Sequence, residues 1–125
     1  MSRILIINDN PIAMKTIEVV LEKEYQDIDN AKDGKMAWAL LKQKEYDLII
    51  TEMMLPYITG LELIFKIKKD ATFKAYYTPV LIVSDIHEED AVTEGFNAGA
   101  NDYLKKPFDP GDLLSRVKKL LTANL

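Results

Sequence analysis

Three uninterrupted aliphatic runs constrain this chain more than any other feature: Ile4–Ile7, Leu48–Ile50 and Val80–Val83. None alternates with polar residues. A strand made from such a run is buried on both faces, which is the habit of parallel sheets. Parallel strands cannot be joined by a tight turn and need a crossover, usually a helix. Two weaker runs, one around Ile28 and one at Tyr103–Leu104, bring the candidate strands to five.

The intervening stretches carry the helical period. Pro11 to Glu24 places Ala13, Ile17, Val20, Leu21 and Tyr25 on one face, with Asn10 as cap and Pro11 in the first turn. Gly34 to Lys44 repeats the pattern through Ala37, Leu40 and Leu41 behind Asp33. Leu61 to Lys69 follows a loop from Pro56 to Gly60. Glu88 to Ala98 ends at Gly99, a left-handed C-terminal cap. Pro110 to Leu121 lines up Leu113, Val117, Leu120 and Leu121 behind Asp109. The order is βαβαβαβαβα. It predicts an α/β fold: a doubly wound, five-stranded parallel sheet flanked by five helices. At 125 residues, 48% of them hydrophobic, the chain is sized for one domain over residues 1–125, with Thr122 to Leu125 as a frayed end or the start of a linker.

Ligands of open α/β sheets bind beyond the carboxyl ends of the strands, where the strand order reverses. There stand Asn8 and Asp9 after the first run, Thr51 and Glu52 after the third, Ser84 and Asp85 after the fourth, and Lys105, Lys106 and Pro107 after the fifth. Carboxylates from different strands can hold a hard divalent ion. A lysine and a serine hydroxyl can hold an anion. Together they suit a phosphoryl group and its metal, because phosphoryl transfer needs mainly positioning and neutralised charge. Any one of these residues has a plainer use, as a helix cap or a solvated charge. Their convergence from four strand ends is what argues for a site.

At these residues the chain resembles the receiver domains of two-component response regulators. The resemblance covers nearly the whole chain. It is carried by Asn97 through Phe108 (NAGANDYLKKPF), by Asp47 through Pro56 with Gly60, and by Asn8-Asp9. It implies a flavodoxin-like strand order of 2-1-3-4-5. It also implies a role for each matching residue. Glu52 stands at the phosphoacceptor position. Asp9, Glu52 and the backbone carbonyl of Met54 stand at the magnesium site. Ser84 matches the hydroxyl that senses the phosphoryl group, and Lys106 the lysine that pairs with its oxygens, followed by a cis bond to Pro107. Tyr103 matches a switch residue, inward or outward, which together with Lys105 marks a partner face on helix 4, strand 5 and helix 5. Such domains are signalling modules, not enzymes beyond their own phosphorylation and dephosphorylation. Their partners are a histidine kinase, an output domain or an effector.

Three departures from the family pattern shape the expected function. Glu52 replaces aspartate and reaches about 1.5 Å further, and a misplacement near 1 Å can cost about a hundredfold in rate. Asn8 replaces the first of two paired acids, so Mg2+ binding is expected to be weak. Asp85 follows Ser84 where a small residue is usual, and would either obstruct the phosphodonor or cap the next helix. The expected reading is a pseudo-receiver: phosphorylation impaired, or bypassed by a Glu52 carboxylate that touches Lys106 or Ser84 directly. The sequence leaves open whether that contact holds an active-like or an inactive state. Alternatives are a receiver still competent at Glu52 and a phosphorylation-independent dimerisation module. A nucleotide-binding enzyme is disfavoured, since no Gly-rich loop follows the first strand.

The remaining signals are mostly negative. The net charge of −4 offers no basic face for nucleic acid, and the chain has no cysteine for a disulfide or thiolate metal site. Its apolar runs fall far short of the ~20 residues of a membrane span, so a cytoplasmic monomer or weak dimer is expected. His87, the only histidine, reads as surface; Trp38 as half-packed on the sheet; Tyr76-Tyr77 as loop packing; Glu88-Glu89-Asp90 as acids favoured by a helix N-terminus.

Overall fold

Alternate residues of each aliphatic run face opposite sides of a sheet, so each run must be covered twice. In the computed structural model, which describes residues 2–123, five helices supply that cover. The elements are β1 (Arg3–Ile7), α1 (Pro11–Leu21), β2 (Asp27–Ala31), α2 (Gly34–Gln43), β3 (Leu48–Thr51), α3 (Gly60–Lys68), β4 (Val80–Ser84), α4 (Glu89–Ala98), β5 (Asp102–Lys105) and α5 (Pro110–Thr122). All strand pairs are parallel, in the order β2-β1-β3-β4-β5. The expected fold class and strand order are therefore met.

The two faces bury separate sets of side chains. Leu5, Ile7, Ile49, Val80 and Ile82 meet Leu41 of α2 and Leu63, Ile64 and Ile67 of α3. Ile4, Ile6, Leu48, Ile50, Leu81 and Val83 meet Ile17 and Leu21 of α1 and Leu113 and Val117 of α5. At about 25 cal/mol per Å² of apolar surface removed from water, these two layers are the main stabilising term. β2 is the exception: DIDNA buries only Ala31 fully, as an edge strand can. Its polar composition is why its sequence signal was weak.

The helix ends follow their cap chemistry. The Asn10 side chain accepts from the N–H groups of Ile12 and Ala13, Asp33 from Met36, and Asp109 from Gly111. Gly99 ends α4 at φ 125°. α1 stops at Leu21 instead of Glu24, because the chain must turn to align Asp27 with Arg3. Met14, and not half-buried Ala13, joins its buried face. α3 begins one residue earlier than expected, at Gly60, fixed by a reciprocal cap: Thr59 Oγ1 accepts from Glu62 N–H while Glu62 Oε1 accepts from Thr59 N–H. α4 begins at Glu89 behind Glu88, with no side-chain cap; Asp85 does not serve as one. Thr122 lies inside α5, and Asn124 and Leu125 lie outside the described residues.

Candidate functional site

The carboxyl ends of β1, β3, β4 and β5 open into one cavity of about 530 Å³. Asn8, Asp9, Glu52, Met54, Ser84 and Lys106 all lie on its wall, joined by Asp85. The reason is topological. Strand order reverses at β1, so α1 leaves on one side and the β3–α3 loop crosses on the other, leaving the strand tips uncovered.

Glu52 sits at the centre and is only 9% exposed. Both of its carboxylate oxygens are engaged. Oε2 accepts from the N–H of Met53 at 2.6 Å, and Oε1 accepts from Lys106 Nζ at 3.0 Å. Lys106 thus forms an ion pair with side-chain exposures of 16% and 10%, and Asp85 Oδ2 approaches the same ammonium at 3.8 Å from solvent. The Lys106–Pro107 bond is cis.

Ser84 is fully buried, and its Oγ accepts from the N–H of Ile86 at 3.2 Å. Among the described residues it makes no hydrogen bond to Glu52. Of the two contacts anticipated for the longer carboxylate, the one to Lys106 is formed. Tyr103 points inward: it is 7% exposed, and its hydroxyl donates to the Ile86 carbonyl at 2.7 Å. Burial pushes its phenol above the ordinary value. The neighbouring Ser84 hydroxyl opposes that shift, and the negative charges of Glu52 and Glu88 add to it. One short segment, Ser84 to Ile86, therefore touches both the cavity and the Tyr103 ring. Lys105 is exposed beside Tyr103 on β5 and lies outside the cavity wall.

A hard cation fits this donor set poorly. Asn8 Oδ1 is spent on the N–H of Asn10 at 2.9 Å. Asn8 Nδ2, buried in a residue 4% exposed, has no acceptor among the described residues. A donor stands where the family pattern has an anionic ligand. Glu52 turns both oxygens to protein donors, leaving Asp9 as an exposed carboxylate beside the Met54 segment. Among the described residues no three His, Cys, Asp or Glu side chains gather closely enough to hold a metal.

Several contacts near the site and beyond it were not foreseen. Tyr57, in the β3–α3 loop, has φ 71°, a strained conformation for a bulky side chain, and is 85% exposed. A Cβ at Gly60 would collide with the carbonyl oxygen of Glu52, so that loop closes directly onto the backbone of residue 52. His87 is exposed as expected, but its Nε2 lies 2.7 Å from the Lys106 carbonyl and donates to it, tying α4's approach to the lysine. Arg116 of α5 bridges Asp102 and Asp112. Trp38 is half-buried, stacked on Phe73 at 4.6 Å, with Lys66 Nζ 4.2 Å over its ring. Tyr77, expected to pack, is 77% exposed beside Tyr76.

Comparison with known proteins gives this geometry a family. The model described as "Response regulator receiver domain" matches residues 4–118. The DNA-binding dual master transcriptional regulator RpaA of Synechocystis sp. is 36% identical over 121 residues, which are 97% of this chain and 49% of that protein. The chain spans between 18% and 53% of the length of RpaA and similar curated relatives. The receiver domain of the Francisella response regulator 1452 superposes with a TM-score of 0.90 at 30% identity, covering 100% of both chains. The receiver domain of the sensor histidine kinase PA1611 of Pseudomonas aeruginosa, with a magnesium ion coordinated in its active site cleft, has a TM-score of 0.86. At 24% identity over 96% of this chain and 97% of that one, its likeness concerns the fold alone.

Proposed function

This chain belongs to the response regulator receiver domain family, and we propose that it transmits a two-component signal by protein contact, with the Glu52–Lys106 ion pair standing in for a phosphorylated acceptor. One receiver domain over residues 1–125 carries this role, in the cytoplasm and without direct contact to nucleic acid. The observation that carries the reading is the double engagement of Glu52. An acceptor carboxylate must present a free oxygen to the incoming phosphorus. Here one oxygen is held by the Met53 N–H and the other by Lys106.

The same pair supports an active-like state. The negative charge that a phosphoryl group would bring to Lys106 is already supplied by a side chain one methylene longer than aspartate. Tyr103 is inward against the Ile86 carbonyl, beside Ser84. The partner face then runs over α4, β5 and α5 around Tyr103 and Lys105, and its ligand is a histidine kinase, an output domain or another effector. Magnesium, which would draw on Asp9, Glu52 and the Met54 carbonyl, is held weakly at best, because Glu52 has both oxygens on protein donors and Asn8 offers a donor where an anionic ligand is needed.

The test is incubation with Mg2+ and a small phosphodonor, followed by intact-mass measurement. The chain should keep its mass, while Glu52→Asp gains a phosphoryl group on the freed acceptor. A phosphoryl adduct on the parent chain, mapped to Glu52, would overturn the proposal.

A further inference from the structure

Away from the strand tips, the outer face of α3 carries a pattern that nothing above uses. Phe65 is 62% exposed at the middle of that face. It borders a groove of about 710 Å³ between α3 and α4, floored by Leu61 and Ala98. Glu62 and Lys69 stand on the same groove wall, before and after it. They are seven residues apart, close to two helical turns, and Lys69, the C-cap just past α3, keeps helical backbone angles, so they share one face. Phe65 lies three residues after the acid and four before the base.

The charges here are not already spent. Lys69 forms no ion pair among the described residues. Glu62 uses Oε1 on the Thr59 cap and has its other oxygen free. Lys66 differs: its ammonium lies over the Trp38 ring, 4.2 Å from the centroid.

An acid, an aromatic and a base in that order along one helix complement the same series run backwards. We infer that this face is a weak self-association surface for a second copy of this chain, with the two α3 helices antiparallel about a two-fold axis at Phe65. The axis sets Phe65 on its counterpart. It also places Glu62 of each copy opposite Lys69 of the other, so the pairing occurs twice. A parallel arrangement would oppose acid to acid and base to base. The face of one short helix gives an interface at the small end of the specific range, under about 1,200 Å². The dimer is therefore dilute-labile, and it meets the α4, β5, α5 partner face only along the α4 wall of the groove, at Glu94, Asn97 and Ala98. The inference does not depend on the reading of Glu52.

Sedimentation velocity from micromolar to millimolar chain tests it, with thermal melting to confirm that each variant is folded. The parent should shift from monomer to dimer as concentration rises. Phe65→Glu should weaken association about a hundredfold by removing the central contact, and Lys69→Glu about tenfold, since the reversal sets two like-charged pairs across the axis. The double variant Glu62→Lys with Lys69→Glu restores both pairs and should return within about threefold of the parent. A chain that stays monomeric throughout overturns the inference. So does a dimer indifferent to Phe65→Glu, or a double reversal that recovers nothing.

Discussion

The two ends of the sheet treat their polar groups in opposite ways. At the amino end, groups are satisfied by one another across the sheet. Tyr46 donates its hydroxyl to Asp29 at 2.6 Å, Lys44 reaches the same carboxylate at 3.1 Å, and Arg3 binds Asp27 through its side chain and Asp47 through its backbone N–H. Lys68 donates to the carbonyls of Tyr76 and Thr78, and the Thr78 hydroxyl to that of Tyr46. At the carboxyl end the partners are fewer and the cavity remains. Glu52 has one ion pair, Asn8 Nδ2 has no partner among the described residues, and Tyr57 holds an uncommon backbone angle. The first pattern ties strands together. The second keeps groups poised for something to bind or to change. Buried polar groups cost little when fully paired and much when orphaned.

The sharpest way to break the comparison is to orphan the charge at the carboxyl end. Lys106→Met leaves Glu52 buried without its cation and should destabilise by about 2–3 kcal/mol, read from the urea midpoint at constant m. Adding Glu52→Gln should bring stability back to within about 1 kcal/mol of the parent. A harmless Lys106→Met would mean that the ion pair is not a coupled unit.

The amino end should respond less. Tyr46→Phe removes one hydrogen bond to a partly exposed carboxylate that keeps Lys44, and should cost about 1–2 kcal/mol. Its pH signature is distinctive. The Tyr46 hydroxyl, ahead of Lys44 and against the cost of burial, holds the Asp29 carboxyl below its ordinary value. Such a group adds stability above its unfolded-state value, about pH 4, and loses it as the pH falls through the lower folded-state value. Urea midpoints followed downward from about pH 6 should therefore fall less in Tyr46→Phe than in the parent. An unchanged acid limb would deny Tyr46 that role.

The smallest effect on stability is expected at Asn8. Asn8→Asp keeps the acceptor for Asn10 N–H and replaces the orphaned donor with an oxygen, at the cost of a second carboxylate near Glu52. Without metal it should lose up to about 1 kcal/mol. With millimolar magnesium, its melting temperature should rise while the parent's barely moves. Equal responses in both would show that Asn8 does not govern metal binding.

What could be read from the sequence divides along the same line. Continuous runs such as Val80–Val83 identify parallel strands because burial on both faces leaves no room for polar residues. The strand tips followed from topology, so Asp9, Glu52, Ser84 and Lys106 could be placed together. The reciprocal cap went unread, although Thr59 and Glu62 stand three apart, because the loop glycine beside them masks the helix start. What the sequence could not supply was which atom bonds to which. The double engagement of Glu52 and the missing acceptor for Asn8 Nδ2 depend on side-chain directions set by neighbouring strands. The Arg116 bridge joins residues whose proximity exists only after β5 and α5 pack.

The closure of the β3–α3 loop on the backbone of residue 52 has a consequence of its own. With the Gly60 N–H on the Met53 carbonyl and no space for a side chain at Gly60, the main chain there cannot retreat to accommodate a larger group. Any change of residue at this position must be absorbed by rotamers alone. The scaffold then works as a fixed ruler: one added carbon is measured off entirely inside the cavity, from Cα to the ammonium of Lys106. A single codon could in this way set how much of a signalling domain's output is permanent and how much is conditional.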